Sequence, residues 1–122
     1  MNKIIFLSGP LRGDGKKETK EKNIEVARKY ARLFIDNEIP YYSPHLNIDQ
    51  EIVSLDREFK EPSFSWYLNA EFLNRCDALA VLPGWETSNG TKIEIENATK
   101  KSLPIFYLSE QDAIKDILDW LK

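Results

Sequence analysis

Glu94 is the acid whose surroundings suggest chemistry. It follows the polar stretch GWETSNGTKIE, which leads from the end of an apolar run into a helical pattern. A carboxylate in such a place can attack an anomeric carbon and form a covalent glycosyl-enzyme intermediate. Thr91-x-x-Glu94 also has the spacing of a capping box, and on pattern alone that purely local role is the preferred reading. Glu96 is two residues on, roughly 200° around a helix, and should point to solvent. Ser88, Asn89 and the N–H groups after Gly90 stand where a helix begins. Unpaired donors and the helix dipole attract anions there. Simple capping by Ser88, Asn89 or Thr91 would account for the same residues. A second stretch, SGPLRGDG, holds Gly9, Gly13 and Gly15, which permit close backbone approach, and Arg12, a planar donor fork suited to phosphate. No Gly-Lys-Ser/Thr follows, so it is not a Walker A loop, and a plain strand-to-helix turn explains it about as well. His45, the only histidine, follows Pro44 and either lines a pocket or does not. Trp66 and Trp85 each pack on the core edge or stack on a base, with packing the preferred reading. Asp77 reads as structural.

These residues need elements to position them. KIIFLSG (3–9) is a branched apolar run that predicts a buried strand. Further strands are expected at 39–45, 77–83 and 103–109. Ile24, Ala27, Ala31 and Phe34 recur at helical spacing and predict a helix over 23–38. The basic-acidic cluster KKETKEK before it reads as a solvated helix start. Helices are also expected at 63–76, with Ser63 or Ser65 as N-cap, at 90–102, and at 110–122, where Ile114, Ile117, Leu118 and Leu121 share a face. Residues 46–62 read as a loop with one helical turn at most. Strand and helix alternate throughout, which implies right-handed βαβ units and a parallel sheet. The expected fold is a single α/β domain over 1–122, flavodoxin-like or Rossmann-like, with three layers and four or five strands in the order 2-1-3-4. Ligands of such sheets bind at the carboxyl ends of the strands, at the topological switch point. The loops carrying Arg12, His45 and Ser88 all fall there.

Composition narrows the class. The chain has 122 residues, with 42% hydrophobic and 30% charged, as expected of one globular domain. The single cysteine, Cys76, and the single histidine argue against an internal disulfide and against a cysteine or histidine metal cluster. A formal net charge of −3 speaks against a nucleic-acid polymer as partner. No apolar run approaches the ~18 residues of a membrane span, and MNKIIFLSGPLRG is too short and too interrupted for a signal peptide, so a cytoplasmic protein is expected.

The stretches IIFLSGPLRG, Y-x-P-H and NRCDALAVLPGWETSNGTKIEIENA resemble the nucleoside 2-deoxyribosyltransferase superfamily, nearest its small branch of uncharacterised prokaryotic and phage domains. The likeness spans nearly the whole chain. It implies that Glu94, four residues after the motif glycine, is the nucleophile that displaces a base from C1′ of a (deoxy)ribose. Enzymes of this group that act on free nucleosides carry Asp six residues before the nucleophile. Here Ser88 stands there, as in the related nucleoside-monophosphate N-glycosidases, and a neutral serine tolerates a 5′-phosphate that an Asp would repel. The chain departs from the pattern at Asn69, where the family commonly has an Asp that helps protonate the departing base. An amide cannot supply that proton at neutral pH. Glu71 is close in sequence but turned to another face.

The resemblance therefore implies cleavage of the N-glycosidic bond of a nucleoside 5′-monophosphate. Glu94 and Asn69 would be the catalytic pair. Ser88, Gly90 and Arg12 would hold the phosphate, Ser8, Gly9 and Gly13 would also bind substrate, Asn69 would contact sugar or base, and His45 or Trp85 would border the base. No cofactor or metal is implied. A homodimer or larger homo-oligomer is expected, with the aromatics around 59–67 as interface candidates. Base exchange between deoxyribonucleosides and a non-catalytic nucleotide-binding module are the alternatives.

Overall fold

β1 (Ile5–Ser8) is buried along its whole length, which is why its sequence shows no polar alternation. It lies near the centre of a four-stranded, all-parallel sheet in a computed structural model that describes residues 2–49 and 64–122. The strand order is β2-β1-β3-β4, with β2 at Tyr41–Tyr42, β3 at Ala78–Val81 and β4 at Ile105–Tyr107. Ile5 pairs opposite Ala78, and Ser8 opposite Val81. The two central strands thus end level, and their following loops open side by side. The chain leaves β1 toward β2 and leaves β3 toward β4, so this is the switch point.

Helices cover both faces. α1 (Lys17–Asp36) and α5 (Ala113–Leu121) supply Ala27, Phe34, Ala113 and Ile117 to a core that includes Ile5, Leu7, Ala78 and Ala80. On the other face, Leu73 of α3 (Phe64–Asn74) and Ala98 of α4 (Asn89–Lys100) pack with Phe6, Leu79 and Val81. The expected three-layer α/β fold, with the order 2-1-3-4, is the observed one.

Boundaries differ where local chemistry intervenes. α1 begins at Lys17 rather than 23, because its first turns are solvated and carry no apolar period. The strand expected over 39–45 shortens to two residues. Pro44 opens a helical turn there, α2 (Pro44–Asn47), whose Asn47 Oδ1 accepts the Ser43 N–H at 2.7 Å. α5 starts at Ala113, after a turn, rather than at 110. Ser63 and most of the 46–62 segment lie outside the described residues. Asp77 is structural, as expected: its Oδ2 accepts the Ile4 N–H at 2.8 Å and joins β3 to the start of β1. No described helix is long and apolar enough to cross a membrane.

Candidate active site

A cleft of about 350 Å³ opens where β1 and β3 end. The loop after β1, α2, α3 and the first turns of α4 line it. Of the residues singled out in the sequence, Ser8, Gly9, Arg12, Gly13, His45, Asn69, Ser88, Gly90 and Glu94 all border this space.

Its floor is built by the start of α4. Gly84 adopts φ 84°, a left-handed conformation that turns the chain after β3. A 3₁₀ turn over Trp85–Thr87 follows, and Ser88 is the N-cap: it is extended, and its Oγ accepts the Thr91 N–H at 3.2 Å. Thr91 is therefore not the cap, and the Thr91-x-x-Glu94 box is not formed. Glu94 falls in the second turn rather than the first. Instead of reaching back to a backbone N–H, its Oε1 accepts a hydrogen bond from Ser8 Oγ. Ser8 Oγ also lies 3.3 Å from Thr91 Oγ1. Glu94 makes no ion pair among the described residues. Burial pushes its carboxyl up to about 7, and the Ser8 hydrogen bond acts in the opposite sense.

The mouth of α4 offers donors. The N–H groups of Asn89 and Gly90 are the first two of the helix and find no partner among the described residues. Ser88 spends a lone pair on the cap but keeps its own proton to donate. At Gly90 a Cβ would meet nothing within 4 Å, so neither packing nor backbone conformation demands glycine there. Its missing side chain leaves room in the cleft. Gly9 is different: it borders the cleft, but a Cβ there would stand 2.6 Å from Leu82, so close packing at the end of β3 already requires glycine. Gly13 has φ 54° and would meet Thr19 at 2.5 Å, so it serves its own turn.

The opposite wall carries acceptors. His45 Nε2 lies 2.8 Å from the Pro10 carbonyl oxygen, which can only accept, so the ring proton sits on Nε2. Burial lowers the pKa of this imidazole and keeps it neutral. Its Nδ1 and the Oδ1 of Asn69 are buried and have no hydrogen-bond partner among the described residues.

The two tryptophans divide between packing and the cleft. Trp85 packs on Tyr107, with ring centroids 5.6 Å apart, and does not line the cleft. Trp66 does, along with Thr91 and Asn97. Helical spacing held the missed signal: Trp66 is three residues before Asn69, and Thr91 and Asn97 flank Glu94 by three. Glu71 faces away and pairs with Arg75 at 2.9 Å, while Glu96 pairs with Lys100 at 3.3 Å, both at the surface.

Residues 3–108 match the model of a domain of unknown function (DUF7768). No curated protein matches the chain.

Proposed function

The chain belongs to the DUF7768 family, and we propose that it cleaves the N-glycosidic bond of a nucleoside 5′-monophosphate with Glu94 as nucleophile. The observation that carries this reading is a carboxyl seated in a cleft and gripped by Ser8, with no cationic partner among the described residues, on the same helix as two N–H donors that find no acceptor there. Four residues separate Gly90 from Glu94, an axial rise of about 6 Å. That is comparable with the span from phosphorus to C1′ in a pentose 5′-phosphate. The Asn89 and Gly90 N–H groups, the Ser88 hydroxyl and Arg12 would take the phosphate. Trp66 would stack on the base, and His45 and Asn69 would meet its polar edge.

In the first step Glu94, as carboxylate, attacks C1′. The C1′–N bond breaks, its electron pair leaves with the base nitrogen, and the base takes a proton from water. Glu94 is the one carboxylate lining the cleft among the described residues. In the second step water attacks C1′ and loses a proton. Glu94 departs as carboxylate, releasing pentose 5-phosphate. A homodimer is part of the same proposal. Tyr67 and Ile93, 63% and 40% exposed, are apolar surface it would cover; sedimentation tests it.

One observation favours a second reading, a nucleotide-binding module without turnover. Asn69 has no proton to give a leaving base, and no other acid lines the described cleft. Chromatography of nucleosides and 5′-monophosphates incubated with the protein separates the readings. Free base from monophosphates, lost in Glu94→Gln, supports the glycosidase. Product only when an acceptor base is added indicates base exchange. Saturable binding with no base released indicates the module.

A further inference from the structure

Glu94 is held from across the sheet. Ser8 ends β1, Thr91 and Glu94 lie on α4, and the three side chains meet in one hydrogen-bonded group. Ser8 and Thr91 are each 1% exposed, so water hardly competes for either hydroxyl.

Proton counting gives the group a direction. Ser8 has one hydroxyl proton and two acceptors in reach. A carboxylate is the stronger acceptor, so with Glu94 ionised the proton goes to Oε1. The Ser8 oxygen then accepts from the Thr91 hydroxyl. Thr91 is fixed in turn, because its N–H is bound by the Ser88 cap. When Glu94 is protonated both hydroxyls can reverse, with Glu94 donating to Ser8 and Ser8 to Thr91. A Ser8 used in this way spends its one proton on Glu94.

We propose that Ser8 is the positioning residue for Glu94, oriented in turn by Thr91, and that this two-hydroxyl relay aims the carboxylate into the cleft. Its value in turnover rests on the glycosidase reading; the relay itself does not. Among the described residues, the titratable and charged groups sharing the cleft with Glu94 are Arg12, from the loop after β1, and His45, from α2. The neutral amide of Asn69 faces it from α3. None of these makes the contact that Ser8 makes.

The test follows the Glu94 carboxyl carbon by NMR titration of ¹³C-glutamate-labelled protein without substrate, assigned with Glu94→Gln. Ser8→Ala should raise the titration midpoint by about one to two pH units, the worth of a hydrogen bond to a charged group. Thr91→Val, which keeps the shape, should raise it less, and Thr91→Ser should restore the wild-type value. A midpoint unchanged in folded Ser8→Ala and Thr91→Val overturns the relay. In parallel, the rising limb of kcat/KM against pH should move with the midpoint. A midpoint that moves in a protein that releases no base keeps the relay and removes the glycosidase. Base release with an unmoved midpoint does the reverse.

Discussion

The hydroxyl of Ser8 donates to the carboxyl of Glu94, joining the end of the first strand to the second turn of the helix after the third. The contact exists because β1 and β3 end level and because α4 is capped by Ser88 rather than by Thr91. A cap one turn later would have drawn Glu94 back to the backbone. The half-buried carboxyl is the source of both the proposed chemistry and a cost in stability.

That cost sets a pH dependence. The Glu94 carboxyl is raised from 4.5 to about 7 in the folded chain, so between those values the native state binds more protons than the unfolded state. Stability from this group is therefore full below pH 4.5 and falls as pH rises through 7, by about 3 kcal/mol. Glu94→Gln should be more stable than wild type at pH 8 and nearly equal at pH 4. Denaturant unfolding at the two pH values measures the gap; a gap no wider at pH 8 contradicts the assignment.

Two glycines bordering the cleft should respond in opposite ways. Gly9→Ala drives a Cβ to 2.6 Å from Leu82 and should destabilise the fold by roughly 1–3 kcal/mol. Gly90→Ala meets open space and should be neutral or more stable by up to ~1 kcal/mol. It should nonetheless weaken monophosphate binding about tenfold, roughly 1.4 kcal/mol, by filling the cleft. Thermal unfolding and calorimetric titration of both variants check this.

The same division applies to the tryptophans. Nucleotide binding should quench the fluorescence of Trp66, which lines the cleft, and Trp66→Phe should lose most of that quenching. Trp85→Phe should keep it, while Trp85→Ala should lower the unfolding temperature by removing the contact with Tyr107. Quenching lost in Trp85→Phe instead would put the base elsewhere.

Asn69→Asp adds an acid to the cleft wall. If the base must otherwise draw its proton from water, the variant should raise kcat. General acid catalysis is worth up to about 10²–10⁴-fold, and a tenfold gain would suffice. An unchanged or lower kcat would show that protonation of the leaving base does not limit the reaction.

The alternation of apolar strands with 3.6-period helices made the sheet order legible, because parallel connections leave few choices. The site was legible as a set of strand-end loops but not in its internal bonding. Ser88-x-x-Thr91 and Thr91-x-x-Glu94 both look like helix starts. Only the left-handed Gly84 and the 3₁₀ turn at Trp85–Thr87 select the first. Trp66 and Trp85 have similar polar neighbours, and the choice between cleft and core was made by Tyr107, a residue on another strand. The packing reason for Gly9 was not legible because Leu82, whose side chain forbids a Cβ there, is distant in sequence. Local pattern cannot report such long-range contacts.

The central claim is that Glu94 bonds to C1′. Acid quenching during turnover of the preferred monophosphate, followed by proteolysis and mass measurement of the peptide carrying Glu94, tests it. The account predicts a gain equal to one pentose phosphate residue on that peptide, absent when Glu94→Gln is used, together with loss of base release in the variant. An unmodified peptide at every quench time, with Glu94→Gln releasing base at the wild-type rate, would contradict it.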